Sequence, residues 1–187
     1  MFKPGDVLLY QAPAWKLSNL IPKAIQLITG NKVTHVALYL GPSYNGHNIL
    51  DALSDGIFMR SLTESEIYNR KDDFKLYGVA RLSTGVNETN SSAFLWSASK
   101  YTTKKYGYKT IFNLLLQHGK TRLFTKKPWT VWFKSHDAYI CSEVTQLAIE
   151  DAFRLNQIKF KFPKIACLVE PDDYLSAPWE VTIIGDN

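Results

Sequence analysis

The chain contains few cysteines, no long apolar run and no recognisable export leader. Two cysteines among 187 residues do not make a disulfide framework, which excludes small disulfide-stapled scaffolds. No apolar stretch approaches the roughly 18 to 20 residues that cross a bilayer. The first ten residues also lack the basic and apolar pattern of a secretory signal. We therefore expect no transmembrane segment, free thiols, and either a cytoplasmic location or release by a non-Sec route.

Acidic residues are absent between Thr89 and His136, although the chain carries 17 of them. The same stretch contains nine basic residues, so the rest of the chain has a net charge of −4 within a formal total of +5. A block of one sign predicts an anionic partner: acidic polymer, phospholipid surface or nucleic acid. The alternative is a solvated basic face. The nine residues are Lys100, Lys104, Lys105, Lys109, Lys120, Arg122, Lys126, Lys127 and Lys134.

Length and periodicity predict one α+β domain over residues 1–187, with a basic aromatic insertion at about 109–137. The first 82 residues favour antiparallel strands with one inserted helix. Predicted strands are Val7–Tyr10, Thr34–Gly41, Asn48–Leu53, Ile57–Leu62, Lys75–Leu82 and Glu180–Ile184. Predicted helices are Asn19–Thr29, Glu64–Tyr68, Asn90–Tyr101, Thr110–Gln117 and Cys141–Leu155.

The predicted strand Thr34–Gly41 carries the first candidate catalytic residue. Alternation places Val36, Leu38 and Leu40 on one face and His35 on the other. An imidazole opposite a fully aliphatic face either opens onto a cleft or is a satisfied structural histidine. A partner group is needed to decide between the two.

Cys141 opens a predicted helix, where unpaired N–H groups and the helix dipole favour thiolate over thiol. The same N–H groups suit an oxyanion formed during acyl transfer. The alternative is a buried structural thiol, since free cysteine is among the most buried residue types. Cys167 lies in an apolar run, and we interpret it as core.

A base needs a third group to hold its tautomer, and Asp51 lies among apolar residues in the strand after His35. A buried carboxylate is costly unless paired, so Asp51 predicts a contact with His35, with a surface position on an edge strand as the alternative. His47, His118 and His136 do not form a metal-ligand spacing with the cysteines. We predict no metal and no organic cofactor.

Several short segments carry a resemblance to a known family. They are Thr34–Gly41, Ile49–Ala52, Asp55–Ile57 and Tyr139–Glu143, supported by Pro4–Leu9, Tyr106–Tyr108 and Val169–Asp173. In this order they resemble the circularly permuted, YiiX/YebB-like branch of the NlpC/P60 superfamily of papain-like cysteine hydrolases.

The resemblance implies an α+β papain-like fold, an antiparallel sheet or partial barrel packed by helices, with the histidine strand before the cysteine helix. It makes Cys141 the nucleophile, His35 the base and Asp51 the third residue, where similar relatives often carry the longer glutamate. We further predict substrate or oxyanion contacts at four positions. These are Tyr10, Tyr139, Ser142 and Glu143.

The expected function is a cysteine peptidase or amidase that cleaves a cell-wall peptide or an isopeptide bond through an acyl-enzyme. Lipid-handling relatives favour an ester or acyl transfer instead. From another class, a non-catalytic module that binds an anionic polymer or membrane is the alternative, and nucleic-acid binding is less favoured because no known motif is present. Phage-borne delivery or lysis would bring a wall hydrolase without a leader to its substrate. Lysines expected at an anionic surface are Lys104, Lys105, Lys109, Lys126 and Lys127.

Overall fold

The computed structural model describes residues 1–12, 32–70, 74–82, 90–108, 138–164, 166 and 169–184. Several sequence predictions lie outside these residues. They are the helices at about 19–29 and 110–117, the insertion at about 109–137, the core position of Cys167, and the surface role of Lys109, Lys126 and Lys127.

Eight strands, three α-helices and one 3₁₀-helix are found in the described part of the chain. They are β1 (Val7–Gln11), β2 (His35–Ser43), β3 (Gly46–Leu53), β4 (Gly56–Leu62), α1 (Glu64–Tyr68), β5 (Lys75–Leu82), α2 (Ser91–Ser99), β6 (Lys105–Tyr106), β7 (Ala138–Tyr139), α3 (Cys141–Leu155), the 3₁₀-helix (Pro171–Leu175) and β8 (Trp179–Ile183).

Six strands form one antiparallel sheet in the order β4-β3-β2-β1-β5-β8. The short strands β6 and β7 form a separate parallel pair. This arrangement confirms the predicted α+β class and the antiparallel pairing of the first 82 residues.

Hydrophobic periodicity places most elements within two residues of their observed bounds. Strand β2 continues two residues past its predicted end at Gly41, to Ser43. Its pairing with β3 shifts register between Tyr39 and Gly41, and Gly41 adopts a φ of 125°. Because glycine tolerates this conformation, the strand absorbs Gly41 and the following Pro42 as a bulge.

Apolar side chains fill two layers on opposite faces of the sheet. The helical layer, formed by α2 and α3, packs against the face that carries Val36, Leu38 and Leu40. The outer layer contains Ile67 of α1 and Phe74, and packs against the opposite face. His35 alternates with Val36 and so starts on the side of the outer layer, as the sequence predicts.

Candidate active site

Cys141 is the first residue of α3 and is only 5% exposed. The residue before it, Ile140, has extended backbone and provides no side-chain cap. Two hydroxyl groups fix the first turn instead. Ser142 Oγ donates to the carbonyl of Val169 at 2.6 Å, and Tyr174 Oη donates to the carbonyl of Ser142 at 2.9 Å. The positive end of the helix dipole therefore lies at the thiol.

His35 is the first residue of β2 and lies opposite Tyr10 of β1. Its ring stacks on Phe74 of the outer layer, with 4.9 Å between the ring centroids and 29° between the planes. The side-chain oxygen of the preceding Thr34 accepts a hydrogen bond from the N–H of Ala12 at 2.8 Å. These contacts fix both the start of the strand and the plane of the imidazole.

Asp51 lies in β3, and the register that pairs Leu38 with Leu50 places it diagonally from His35 on the same face. Its side chain has no exposed surface. The Nε2 atom of His35 lies 2.7 Å from Asp51 Oδ1. The aspartate, despite its short side chain, therefore reaches the imidazole.

The thiol of Cys141 lies within hydrogen-bonding reach of His35. Because Asp51 binds Nε2, Nδ1 is the ring nitrogen left for the sulfur. Burial raises the pKa of Cys141, but the charge and hydrogen bond of His35 outweigh it, so the pKa of the thiol is lowered. Burial lowers the pKa of His35, but the charge on Cys141 and the contact with Asp51 raise it to about 9. Together the shifts favour a thiolate–imidazolium pair at neutral pH.

Two backbone groups also stabilise the thiolate. Hydrogen bonds from the backbone at Val36 and Ser142 lower the pKa of Cys141 further. One belongs to β2 and the other to the first turn of α3. The sulfur thus lies where the sheet and the helix start meet.

The second oxygen of Asp51 binds two arginines. Arg70 donates to Oδ2 at 2.7 Å and Arg60 donates at 3.4 Å. The Arg70 side chain is 2% exposed, whereas that of Arg60 is 38% exposed. Sequence reasoning missed Arg70 because it follows the short helix α1 in a polar stretch, where an arginine gives no sign of burial.

Tyr106 was predicted only as part of the family resemblance, and the structure places it beside the candidate nucleophile. Burial and then the charge on Cys141 raise the pKa of Tyr106 well above its ordinary value. Tyr106 pairs with Tyr139 in the β6–β7 ladder, and its ring centroid lies 5.1 Å from that of Tyr108. Tyr106 and Tyr139 pack against the helical layer, which also contains Cys141.

The residues predicted to contact substrate lie in different places. Tyr10 has no exposed surface, and its hydroxyl donates to the carbonyl of Ile67 at 3.2 Å. Its ring centroid lies 6.1 Å from that of His35. The structure therefore places Tyr10 in the outer layer, beside the imidazole.

The other three predicted contacts surround the start of α3. Tyr139 is half-buried and its ring meets that of Tyr101 at 5.7 Å between centroids. Ser142 and Glu143 are buried in the first helical turn. The Ser142 hydroxyl is bound to Val169, so its backbone and not its side chain serves the sulfur.

His47 lies outside the candidate site. It contacts Tyr39 Oη through Nδ1 at 3.1 Å and Glu64 through Nε2. His118 and His136 lie outside the described residues. Within the part of the chain that the structure describes, no group of three or more acidic, histidine and cysteine side chains is placed to hold a metal ion. The same residues include no helix with the length and apolarity needed to cross a bilayer.

A scan of the chain against models of protein families finds no match. A search of curated proteins likewise finds no similar sequence.

Proposed function

We propose that this protein is a cysteine hydrolase with a papain-like, circularly permuted domain. The observation that carries the proposal is the continuous Cys141–His35–Asp51 relay at the start of a helix. The fold assignment is supported by the antiparallel sheet, by α3 packed on it, and by a histidine strand that precedes the cysteine helix.

The reaction proceeds through two acyl transfers. The thiolate of Cys141 attacks the substrate carbonyl carbon, a C–S bond forms, and an electron pair moves onto the carbonyl oxygen. The imidazolium of His35 gives its proton to the leaving amine as the C–N bond breaks, which leaves a thioester. Water then attacks the thioester and gives a proton to His35. The C–S bond breaks and releases the carboxylic acid with the thiolate.

Charge that develops on the substrate oxygen needs donors close to the sulfur. The first turn of α3 presents backbone N–H groups without a side-chain cap from Ile140, and the helix dipole adds to their field. No metal or organic cofactor takes part in this proposed reaction.

The proposed bond is an amide in a cell-wall peptide or an isopeptide linkage, as the resemblance implies. An ester or lipid acyl donor forms the same thioester and remains the alternative within the superfamily. The non-catalytic binding module is the alternative from another class. It requires Cys141 to be an ordinary thiol, with a pKa near the usual value of about 8.5.

The test measures the ionisation of Cys141 directly. Thiolate absorbance in the ultraviolet and iodoacetamide modification by intact mass are followed against pH for the wild type, Cys141→Ser, His35→Ala and Cys167→Ser. We expect one thiolate to persist well below pH 8 and to be lost in Cys141→Ser. The Cys167→Ser variant is the matched control and should behave as the wild type. Absorbance reports ionisation even where burial of Cys141 slows the reagent.

The His35→Ala variant distinguishes a thiolate activated by the imidazole from an ordinary thiol. Loss of the imidazole should return the titration of Cys141 towards its ordinary range and slow modification at neutral pH by at least about tenfold, one pKa unit being tenfold in thiolate. If Cys141 titrates near 8.5 in every variant, the hydrolase loses its nucleophile and the binding module takes its place.

A further inference from the structure

We propose that Arg70 is a positioning residue for the catalytic relay: its guanidinium keeps Asp51 ionised and aimed at His35. The inference rests on the proposed hydrolase function, and it adds a fourth residue that acts through Asp51 without touching substrate. The four side chains then form one chain of contacts, from Cys141 through His35 and Asp51 to Arg70.

Asp51 requires a charged partner because it has no exposed surface. An isolated buried carboxylate becomes neutral unless paired or bonded. Burial alone raises the pKa of Asp51, but the charge of Arg70 and the hydrogen bond from His35 outweigh it and hold the pKa well below its usual range. A neutral Asp51 could not stabilise the imidazolium that the reaction requires.

The position of Arg70 is fixed by the outer layer and not by solvent contacts. Its guanidinium carbon lies 5.1 Å from the ring centroid of Tyr10 and 5.4 Å from that of Phe74. Its backbone N–H donates to the carbonyl of Phe74 at 2.9 Å. The ring of Phe74 also stacks on His35, so the same side chain packs against both the guanidinium and the imidazole.

Arg60 provides a matched comparison on the same carboxylate oxygen. Its contact with Asp51 Oδ2 is longer, 3.4 Å against 2.7 Å, and its side chain is 38% exposed against 2% for Arg70. Solvent screens an exposed charge more than a buried one. Removal of the Arg60 charge should therefore change the site far less than removal of the Arg70 charge.

The charged and titratable groups around the relay come from several elements. Asp51 faces His35, Arg60 and Arg70. Cys141 faces His35, and its charge also reaches Tyr106 of β6 and Tyr174 of the 3₁₀-helix. Both tyrosines have raised pKa values and stay neutral around pH 7. Arg70 binds Asp51, so we expect its charge to reach the thiol through Asp51 and His35.

The experiment compares Arg70→Gln, Arg70→Lys and Arg60→Gln by thiolate absorbance and by iodoacetamide modification against pH. Loss of a nearby positive charge raises the pKa of every neighbouring acid. We expect Arg70→Gln to shift the titration of Cys141 upward and to slow modification at pH 7 by about tenfold. Arg70→Lys, which keeps the charge, should recover most of the rate, and Arg60→Gln should stay within about twofold of the wild type.

The outcomes separate this inference from the hydrolase proposal. If the wild type lacks a low-pKa thiol, the proposed function fails before Arg70 is considered. If the wild type has one and Arg70→Gln leaves it unchanged, or Arg70→Lys is as impaired as Arg70→Gln, the charge of Arg70 does not act on the relay. Circular dichroism and thermal melts verify that each variant is folded.

A measurement on the wild type covers the case in which Arg70→Gln does not fold. The carboxyl ¹³C shift of Asp51, assigned by comparison with Asp51→Asn, is followed by NMR as the pH is lowered. We expect no titration down to the acid unfolding of the protein. A carboxyl that titrates near the ordinary aspartate value of about 3.9 would overturn the inference.

Discussion

Asp51 is the residue at which burial, charge and the geometry of the proposed relay coincide. It binds His35 and Arg70 at 2.7 Å each and has no exposed surface. Asp51→Asn keeps the shape but leaves the Arg70 charge buried without its counter-ion. Breaking a buried pair in this way costs about 3–5 kcal/mol. We expect a loss of that order in the free energy of unfolding at pH 7, measured by urea titration.

The same variant has a defined pH dependence. Because the pKa of Asp51 is lowered in the folded protein, its contribution to stability is present above the unfolded value of about 3.9 and is lost as the pH falls through the folded value. Asp51→Asn should therefore differ most from the wild type at neutral pH, and the difference should shrink in acid. Equal differences at pH 7 and pH 3 would contradict a carboxylate stabilised by its charge.

His35 sets an upper pH limit that depends on the leaving group. Its pKa of about 9 means that the imidazolium donates a proton to an amine below that pH and cannot do so above it. We expect hydrolysis of an amide substrate to fall above pH 9. Hydrolysis of an activated phenyl ester, whose leaving group needs no proton, should show no such fall above pH 9. The measurement is kcat/KM against pH for both substrates. If kcat/KM falls above pH 9 for both, the group that titrates there acts in a step other than protonation of the leaving group.

The sequence singles out the three residues of the proposed relay, and the physical reason is local. A histidine opposite an aliphatic face, a carboxylate inside a strand and a cysteine at a helix start are each visible within ten residues. Arg70 and Phe74 could not be found in this way, because their contacts with Asp51 and His35 depend on how the outer layer folds back over the sheet. Tyr10 was predicted at the substrate, and in the structure it is buried beside the imidazole.

The β2–β3 hairpin is the element that sets the position of Asp51 relative to His35. Gly41 and Gly46 both have positive φ, 125° and 145°, so an alanine at either is strained. A Cβ at Gly46 would lie 2.1 Å from the Leu62 carbonyl oxygen, whereas one at Gly41 would lie 3.5 Å from Pro4 Cγ. Only Gly46 therefore combines strain with a backbone collision.

Gly46→Ala should destabilise the protein more than Gly41→Ala and should have the lower thermal midpoint. The additional loss of unfolding free energy should be about 1–3 kcal/mol, the typical range for overpacking. Differential scanning calorimetry of the two variants measures this difference. Equal losses of unfolding free energy in the two variants would mean that β4 moves away from the turn at little cost. Since β4 borders β3, the alkylation rate of Cys141 in Gly46→Ala reports whether that movement reaches the relay.

Long periodic elements were predictable from the sequence, whereas the two shortest strands were not. Helix α3 and strand β5 have the bounds that their sequences predict, because ten or more residues in α3 and eight in β5 repeat one pattern. The two-residue strands β6 and β7 carry no period. They exist because Gly107 donates to the Tyr139 carbonyl at 2.9 Å and Ile57 donates to the Lys104 carbonyl at 3.1 Å, contacts between segments far apart in sequence.

Charge is distributed unevenly over the whole molecule, with nine basic and no acidic residues between Thr89 and His136. Within this block, Lys100 lies 3.1 Å from Asp151 and 3.9 Å from the Trp96 ring centroid, so this lysine is bound within the protein. Lys105 is exposed. We therefore expect an anionic partner to contact basic residues of the block other than Lys100.

We expect the protein to bind vesicles of anionic phospholipid and to be released by salt. Lys126→Glu/Lys127→Glu should weaken binding by at least about tenfold, since each lysine near such a surface contributes about 1 kcal/mol. Lys159→Glu/Lys161→Glu makes the same charge change outside the block and is the matched control. Vesicle sedimentation at two salt concentrations measures it, and equal losses in both pairs would show an effect of net charge alone.

The relay runs in one direction along the chain: His35, Asp51 and Arg70 all precede Cys141 by at least 71 residues. Vectorial synthesis therefore supplies the base and its ionic partners early and the sulfur late. A ribosome that stops before Cys141 releases a polypeptide that has His35, Asp51 and Arg70 but not the sulfur. If the protein is the proposed hydrolase, translation itself delays reactivity, and an incomplete product cannot form the acyl-enzyme.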